Sequence, residues 1–201
     1  MKKRITALIV CLMLILLSAC GNNVKQRWES FNEKVTESAL SFTCEVRAEY
    51  DDKTASFTLC YEDTADGCTV TVIEPQCIAG VKAHLKDGTS SLEFDGAILD
   101  TGDLDRFGLS PLSALKEICA ALRNSHADTF WMEQDKPVVQ LIPTDELTLT
   151  VWFDVSFTAP EYAELASGGK TVIYCHFTNW QMNGDTDNER SSEENMGGDI
   201  S

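Results

Sequence analysis

Phe42-Thr43-Cys44-Glu45-Val46-Arg47-Ala48-Glu49-Tyr50 alternates apolar and polar side chains without a break. After Asp51-Asp52-Lys53 the run Ser56-Phe57-Thr58-Leu59-Cys60-Tyr61-Glu62 alternates again in the opposite parity. A period of two marks a strand with one buried face. Two such strands joined by a short acidic turn form an antiparallel hairpin, and both apolar sets share one face only if paired residue numbers sum to an odd value. Phe42 then lies opposite Tyr61 and Val46 opposite Phe57. The same register puts Cys44 on the apolar face and Cys60 on the other.

Further strands follow at Thr69 to Ile73, Ile78 to Leu85 and Ser91 to Phe94, separated by Glu74-Pro75-Gln76 and Asp87-Gly88. Asp95 to Gly108 is rich in Gly and Asp and reads as a connection. Ser110 is an N-cap with Pro111 behind it, and Leu112, Leu115, Ile118, Cys119 and Leu122 recur at helical spacing up to Asn124. Strands resume at Thr129 to Glu133, Val138 to Ile142 and Leu147 to Val155. A last hairpin turns at Gly168-Gly169 between Tyr162 to Leu165 and Thr171 to Thr178. Upstream, Trp28, Phe31, Val35, Ala39 and Leu40 place an amphipathic helix over Val24 to Leu40. The predicted fold is α+β: one curved antiparallel sheet of about 9–11 strands in a meander, with two helices covering its apolar face.

The N-terminus carries a different message. Lys2-Lys3-Arg4 precedes a run from Ile5 to Leu17 in which only Thr6 is polar. As a helix this run rises about 20 Å, short of the roughly 30 Å hydrocarbon core, so it reads as a secretion signal over residues 1–19 and not as a permanent span. It closes on Leu17-Ser18-Ala19-Cys20-Gly21, which resembles the bacterial lipoprotein processing box, with Cys20 as the lipidated first residue of the mature chain. Residues 20–23 then form a lipidated tether and 24–182 the domain. Residues 183–201 hold six acidic side chains against Arg190 and form an acidic tail with too little apolar surface to order itself. Acyl chains on Cys20, palmitate among them, contribute about 0.8 kcal/mol per buried CH₂ and hold the domain at the extracytoplasmic side of the cell membrane.

Charge narrows the partners. The formal net charge is −16, and without Lys2, Lys3 and Arg4 thirteen basic residues face 32 acidic ones. Nucleic acid is thereby excluded as a partner, and anionic headgroups would be repelled. The chain has no Gly-rich phosphate loop, G-x-S-x-G elbow, His-Glu-x-x-His pair or C-x-x-C motif. His84, His126 and His176 lie in or beside different strands, and adjacent Cys175 and His176 point to opposite faces. No catalytic residue, metal site or cofactor is expected, so the chain reads as a non-enzyme. The mature chain holds six cysteines besides Cys20, and their spacing selects no disulfide pairing.

In this order of elements the chain resembles the outer-membrane lipoprotein carrier-like (LolA/LppX-like) superfamily. The resemblance runs from about Val24 to Trp180. Its carriers are the leading helix, Val70-Thr71-Val72-Ile73-Glu74-Pro75 with Ile78-Ala79-Gly80-Val81, the helix opened by Ser110-Pro111-Leu112-Ser113-Ala114-Leu115, and Pro160-Glu161-Tyr162-Ala163-Glu164. It implies an open half-barrel whose concave apolar face, beneath the helices, can hold a lipid or acyl chain. The carrier of that group is soluble, whereas this chain carries its own anchor. Its cavity arginine does not transfer to Arg47, which falls on the face opposite Phe42 and Val46.

If the odd-sum register persists through the first four strands, Phe42, Val46, Phe57, Leu59, Val70, Val72, Val81 and Leu85 share one face, and Leu115 and Leu122 supply a matching helix stripe. These ten residues are the candidate ligand lining. The same pattern also suits a packed core in a structural or sensory envelope lipoprotein acting through protein contacts.

Overall fold

The computed structural model describes residues 23–50, 53–86, 89–102 and 110–183. The signal, Cys20 and nearly all of the acidic tail lie outside the described residues. A helix over 23–37, α1, leads into β1 (Ala39–Tyr50), β2 (Lys53–Thr64) and β3 (Gly67–Glu74). A 3-10 turn over Gln76–Ile78 precedes β4 (Lys82–Lys86), β5 (Thr89–Phe94) and β6 (Ala97–Gly102). After α2 (Pro111–Asn124) come β7 (His126–Glu133), β8 (Lys136–Thr144), β9 (Leu147–Phe153), β10 (Pro160–Ser167) and β11 (Lys170–Asn183).

Among the described residues all eleven strands form one open antiparallel sheet in the order β6-β5-β4-β3-β2-β1-β11-β10-β9-β8-β7. This is two meanders joined at the middle and not one continuous meander. The seam is the pairing of β1 with β11, where Val46 lies opposite Cys175 and Arg47 opposite Tyr174. Helix α2 links strand β6 at one edge to strand β7 at the other.

The odd-sum register holds. Phe42 pairs with Tyr61 and Val46 with Phe57 in β1–β2, Leu59 with Val72 in β2–β3, and Cys68 with Leu85 in β3–β4. The apolar residues of these strands therefore share one face. They form a single core with Ala114, Leu115, Ile118 and Leu122 of α2 and with Trp28, Phe31 and Val35 of α1. Helix α2 lies against β1 to β4 and reaches β8, while α1 packs Trp28 and Phe31 on the ring of Phe153. Ser110 caps α2 as expected, exchanging hydrogen bonds with Ser113 through both backbone N–H groups.

Four expectations are corrected. Helix α1 stops at residue 37, because Leu40 joins the sheet opposite Met182 and gives its N–H to Asp63 Oδ2 at 2.7 Å. Residues 78–81 are not strand: Gly80 turns at φ +88°, and backbone hydrogen bonding with β3 is kept through Val72 alone, its N–H donating to Val81 O and its carbonyl accepting Gly80 N–H, both at 2.8 Å. The Gly- and Asp-rich segment contains β6, since Asp95, Gly96 and Gly102 take positive φ at its two ends and leave Ala97-Ile98-Leu99 extended between them. Strand β9 ends at Phe153, where Asp154 turns the chain. The boundaries of tether and tail also shift by a residue, with Asn23 in α1 and Asn183 in β11.

Candidate functional site

The ten residues expected to line a ligand are all present on the apolar side, at different depths. Phe42, Val46, Leu59, Val70, Val72 and Leu85 are buried in the sheet, and Leu115 and Leu122 are buried on α2. Phe57 and Val81 are half-buried and pack against the same core. At the β1–β2 end the core is aromatic: Phe42 stacks between Tyr61 at 4.8 Å and Trp180 at 4.8 Å, and Phe177 meets it edge-on at 5.3 Å.

The apolar face does not stop where α2 stops. Beyond β4 the pairing of Ala83 with Leu92, and of Leu92 with Leu99, continues the same face across β5 and β6. Phe94 lies on it by parity, opposite Ala97. Leu92 is half-buried, Phe94 is 52% exposed and Leu99 is 64% exposed. An apolar ledge thus adjoins Val81 and leads from solvent to the buried core. Leu92 and Phe94 stand in a strand read from the sequence, but Leu99 was hidden within a segment whose Gly and Asp content outweighed its three-residue apolar run.

At the other end of α2 a polar latch ties helices to sheet. The Arg123 guanidinium pairs with Asp63 Oδ2 and donates to the carbonyls of Val35 at 3.3 Å and Ser38 at 3.2 Å. Asp63 also accepts Tyr61 Oη–H at 2.8 Å, and Asn32 Nδ2 donates to Leu122 O at 2.6 Å. Burial acts to lower the Arg123 pKa, but the Asp63 carboxylate outweighs it and the guanidinium stays raised. With side chains 21% and 12% exposed, this pair is well shielded from water. No spacing rule in the sequence could pair residues sixty positions apart.

The remaining reactive groups are spread out. His84 Nε2 lies 2.8 Å from Glu93 Oε2, and its Nδ1 lies 3.2 Å from Thr69 Oγ1. Its hydrogen bond lowers the Glu93 pKa. Cys44, Cys60, Cys68, Cys77, Cys119 and Cys175 are free thiols. Burial raises Cys44 and Cys119 strongly and pushes Cys68 up to about 11, which keeps these thiols protonated at neutral pH. Among the described residues no three His, Cys, Asp or Glu side chains gather as a metal site, and no helix is long and apolar enough to cross a membrane.

No protein-family model and no curated protein matches the chain. Solved structures do. A LolA superfamily protein from Nitrosomonas europaea is 12% identical, with 79% of this chain and 94% of that one covered at a TM-score of 0.43. The lipoprotein LppX from Mycobacterium tuberculosis is 9% identical, covering 79% and 95% at a TM-score of 0.42. LprF from Mycobacterium bovis is 9% identical, covering 79% and 93% at a TM-score of 0.39.

Proposed function

We propose that the protein is a membrane-anchored extracytoplasmic lipoprotein that binds a lipid or another apolar ligand on the apolar face of a curved half-barrel, beneath two covering helices. The observation that carries this reading is the ledge of Val81, Leu92, Phe94 and Leu99, which extends the core face into solvent beyond α2. Apolar surface left open in continuity with a core is where an acyl chain gains most, at roughly 25 cal/mol per Å² removed from water. An anchor on Cys20 would keep the ledge near the bilayer that supplies such chains. Phe42, Val46, Phe57, Leu59, Val70, Val72, Leu85, Leu115 and Leu122 would become lining as the chain penetrates and the helices give way.

A second reading has its own observation. Eight of those ten lining candidates are already packed to 4% exposure or less, as in a structural or sensory lipoprotein that holds no ligand and offers the ledge to a protein.

Titration of delipidated protein with a fluorescent fatty acid separates the two. Saturable binding by wild type, weakened at least tenfold by Leu99→Glu or Phe94→Glu with unchanged thermal stability, supports ligand binding. Both positions are exposed, so the substituted carboxylates do not enter the core. No binding by verified ligand-free wild type gives the case to the protein-contact reading.

A further inference from the structure

The sheet's other face carries a groove that the ligand reading does not use. Opposed residues share a face, so the registers set Trp152, Tyr162, His176, Glu45, Thr58 and Glu74 in one row across six adjacent strands, from β9 to β3. A parallel row holds Thr150, Glu164, Tyr174, Arg47 and Ser56. Between the rows runs a trough floored by the backbone of buried residues such as Val46 and Cys175. It opens into hollows of about 490 Å³ and about 270 Å³ that share Tyr162, Tyr174 and Cys175. The larger lies within the roughly 300–1,000 Å³ usual for small-molecule sites.

The walls are ordered from within. Tyr162 stacks on His176 at 4.8 Å and 14°, with Lys136 Nζ 4.8 Å from the Tyr162 ring centroid. Arg47 lies over Tyr174 at 4.3 Å. Each basic side chain already faces a carboxylate: Arg47 pairs with Glu49 at 3.3 Å, Lys136 with Glu161 at 2.5 Å, and the His176 imidazole lies 3.7 Å from Glu45. His176 and Lys136 at Tyr162, and Arg47 at Tyr174, already take positions against these rings that a cationic ligand would need.

Chemistry then selects the occupant. An acyl chain would strip water from Glu45, Thr58, Ser56 and Glu74 and return no hydrogen bond. An anion would meet Glu45, Glu74 and Glu164 in a protein of net charge −16. A lysine or arginine side chain only donates, and would compete with Arg47, Lys136 and His176 for Glu49, Glu161 and Glu45, which they already face. Hydroxyls both donate and accept, which suits walls that mix carboxylates, guanidinium, imidazole, phenols and aliphatic hydroxyls. The trough also crosses the strands at right angles, so its wall residues repeat at the strand spacing of roughly 4.8 Å. The rise of an extended glycan per sugar ring is of that order. We propose that this trough binds a neutral oligosaccharide in extended form, one sugar ring to each strand crossed.

Isothermal titration of the anchor-free domain with chitin- and cellulose-derived oligosaccharides of increasing length tests the proposal. The expected result is affinity that rises at least tenfold from one ring to four in one of the two series, and that falls at least tenfold in Tyr174→Ala and in Glu45→Gln. Both positions are on the outer face, and their melting temperatures should match wild type. Fatty-acid binding should be unchanged in both variants, which separates this site from the ledge. Absence of binding in both series, affinity independent of length, or binding indifferent to both variants overturns it. So does a basic peptide such as pentalysine that binds with the same variant sensitivity while the oligosaccharides do not.

Discussion

Arg123 touches three elements at once: its own helix carries it, its guanidinium caps carbonyls at the end of α1, and its ion pair reaches Asp63 in β2. Removing one member of a shielded pair leaves the other charge without compensation, a change that costs about 3–5 kcal/mol in buried cases. Arg123→Ala should therefore lower unfolding free energy by about 3 kcal/mol in urea denaturation, and Asp63→Ala by a similar amount. The double variant should lose less than the sum of the two, since neither charge is then stranded. Strict additivity would mean that the latch is not a coupled unit. Leu115, fully buried on α2, should cost about 2–5 kcal/mol as Leu115→Ala; a much smaller loss would show open space beside it. Gly67 is a different kind of position. A Cβ there would sit 2.2 Å from Leu85 O at φ +153°, so Gly67→Ala should destabilise by about 1–3 kcal/mol in the same assay. An unchanged midpoint would contradict the close approach of β3 to β4.

Among the elements, the segment after β9 shows how a loop is held without regular structure. Asp154 accepts hydrogen bonds from Thr158 N at 2.5 Å, Ala159 N at 3.0 Å and Thr158 Oγ1 at 2.8 Å. This places Phe157 flat on Phe153 at 4.1 Å, beneath Arg27 of α1. Partial burial raises the Asp154 carboxyl, but hydrogen bonds from Ser156, Ala159 and Thr158 outweigh that and hold it below the ordinary carboxylate range. A folded-state pKa below the unfolded value contributes stability above the unfolded pKa, and that contribution disappears as pH falls through the folded one. Wild type should thus melt higher than Asp154→Ala at neutral pH, with the gap closing below about pH 4. A gap that persists unchanged into acid would mean the carboxylate charge is not what holds the loop. The hairpin registers and the Ser110 cap were legible in sequence because period and capping are local. Strand β6 and the 3-10 turn over Gln76–Ile78 were not, because their residues carry mixed signals: Ile98 and Leu99 sit between Gly and Asp, and Ile78 lies three residues after Pro75.

For the whole molecule, the one-sided core followed from parity alone, but the joining of two meanders through β1 and β11 did not. That contact brings together residues more than 120 positions apart, and alternation records which face a residue takes and not which strand lies beside it. For the same reason, the sequence named ten apolar residues on one face without saying how deeply each would be packed, and it missed the latch and the open ledge at opposite ends of α2. The packed core and the ledge together describe a face that is closed over β1 to β4 and open over β5 and β6. The central claim is that this face holds an apolar ligand, and mass measurement of protein purified from its own membranes tests it most directly. Native mass spectrometry should show the protein with a lipid-sized increment over its covalent mass, and denaturation should release that increment. Equal native and denatured masses, in protein purified without stripping detergents, would contradict the claim.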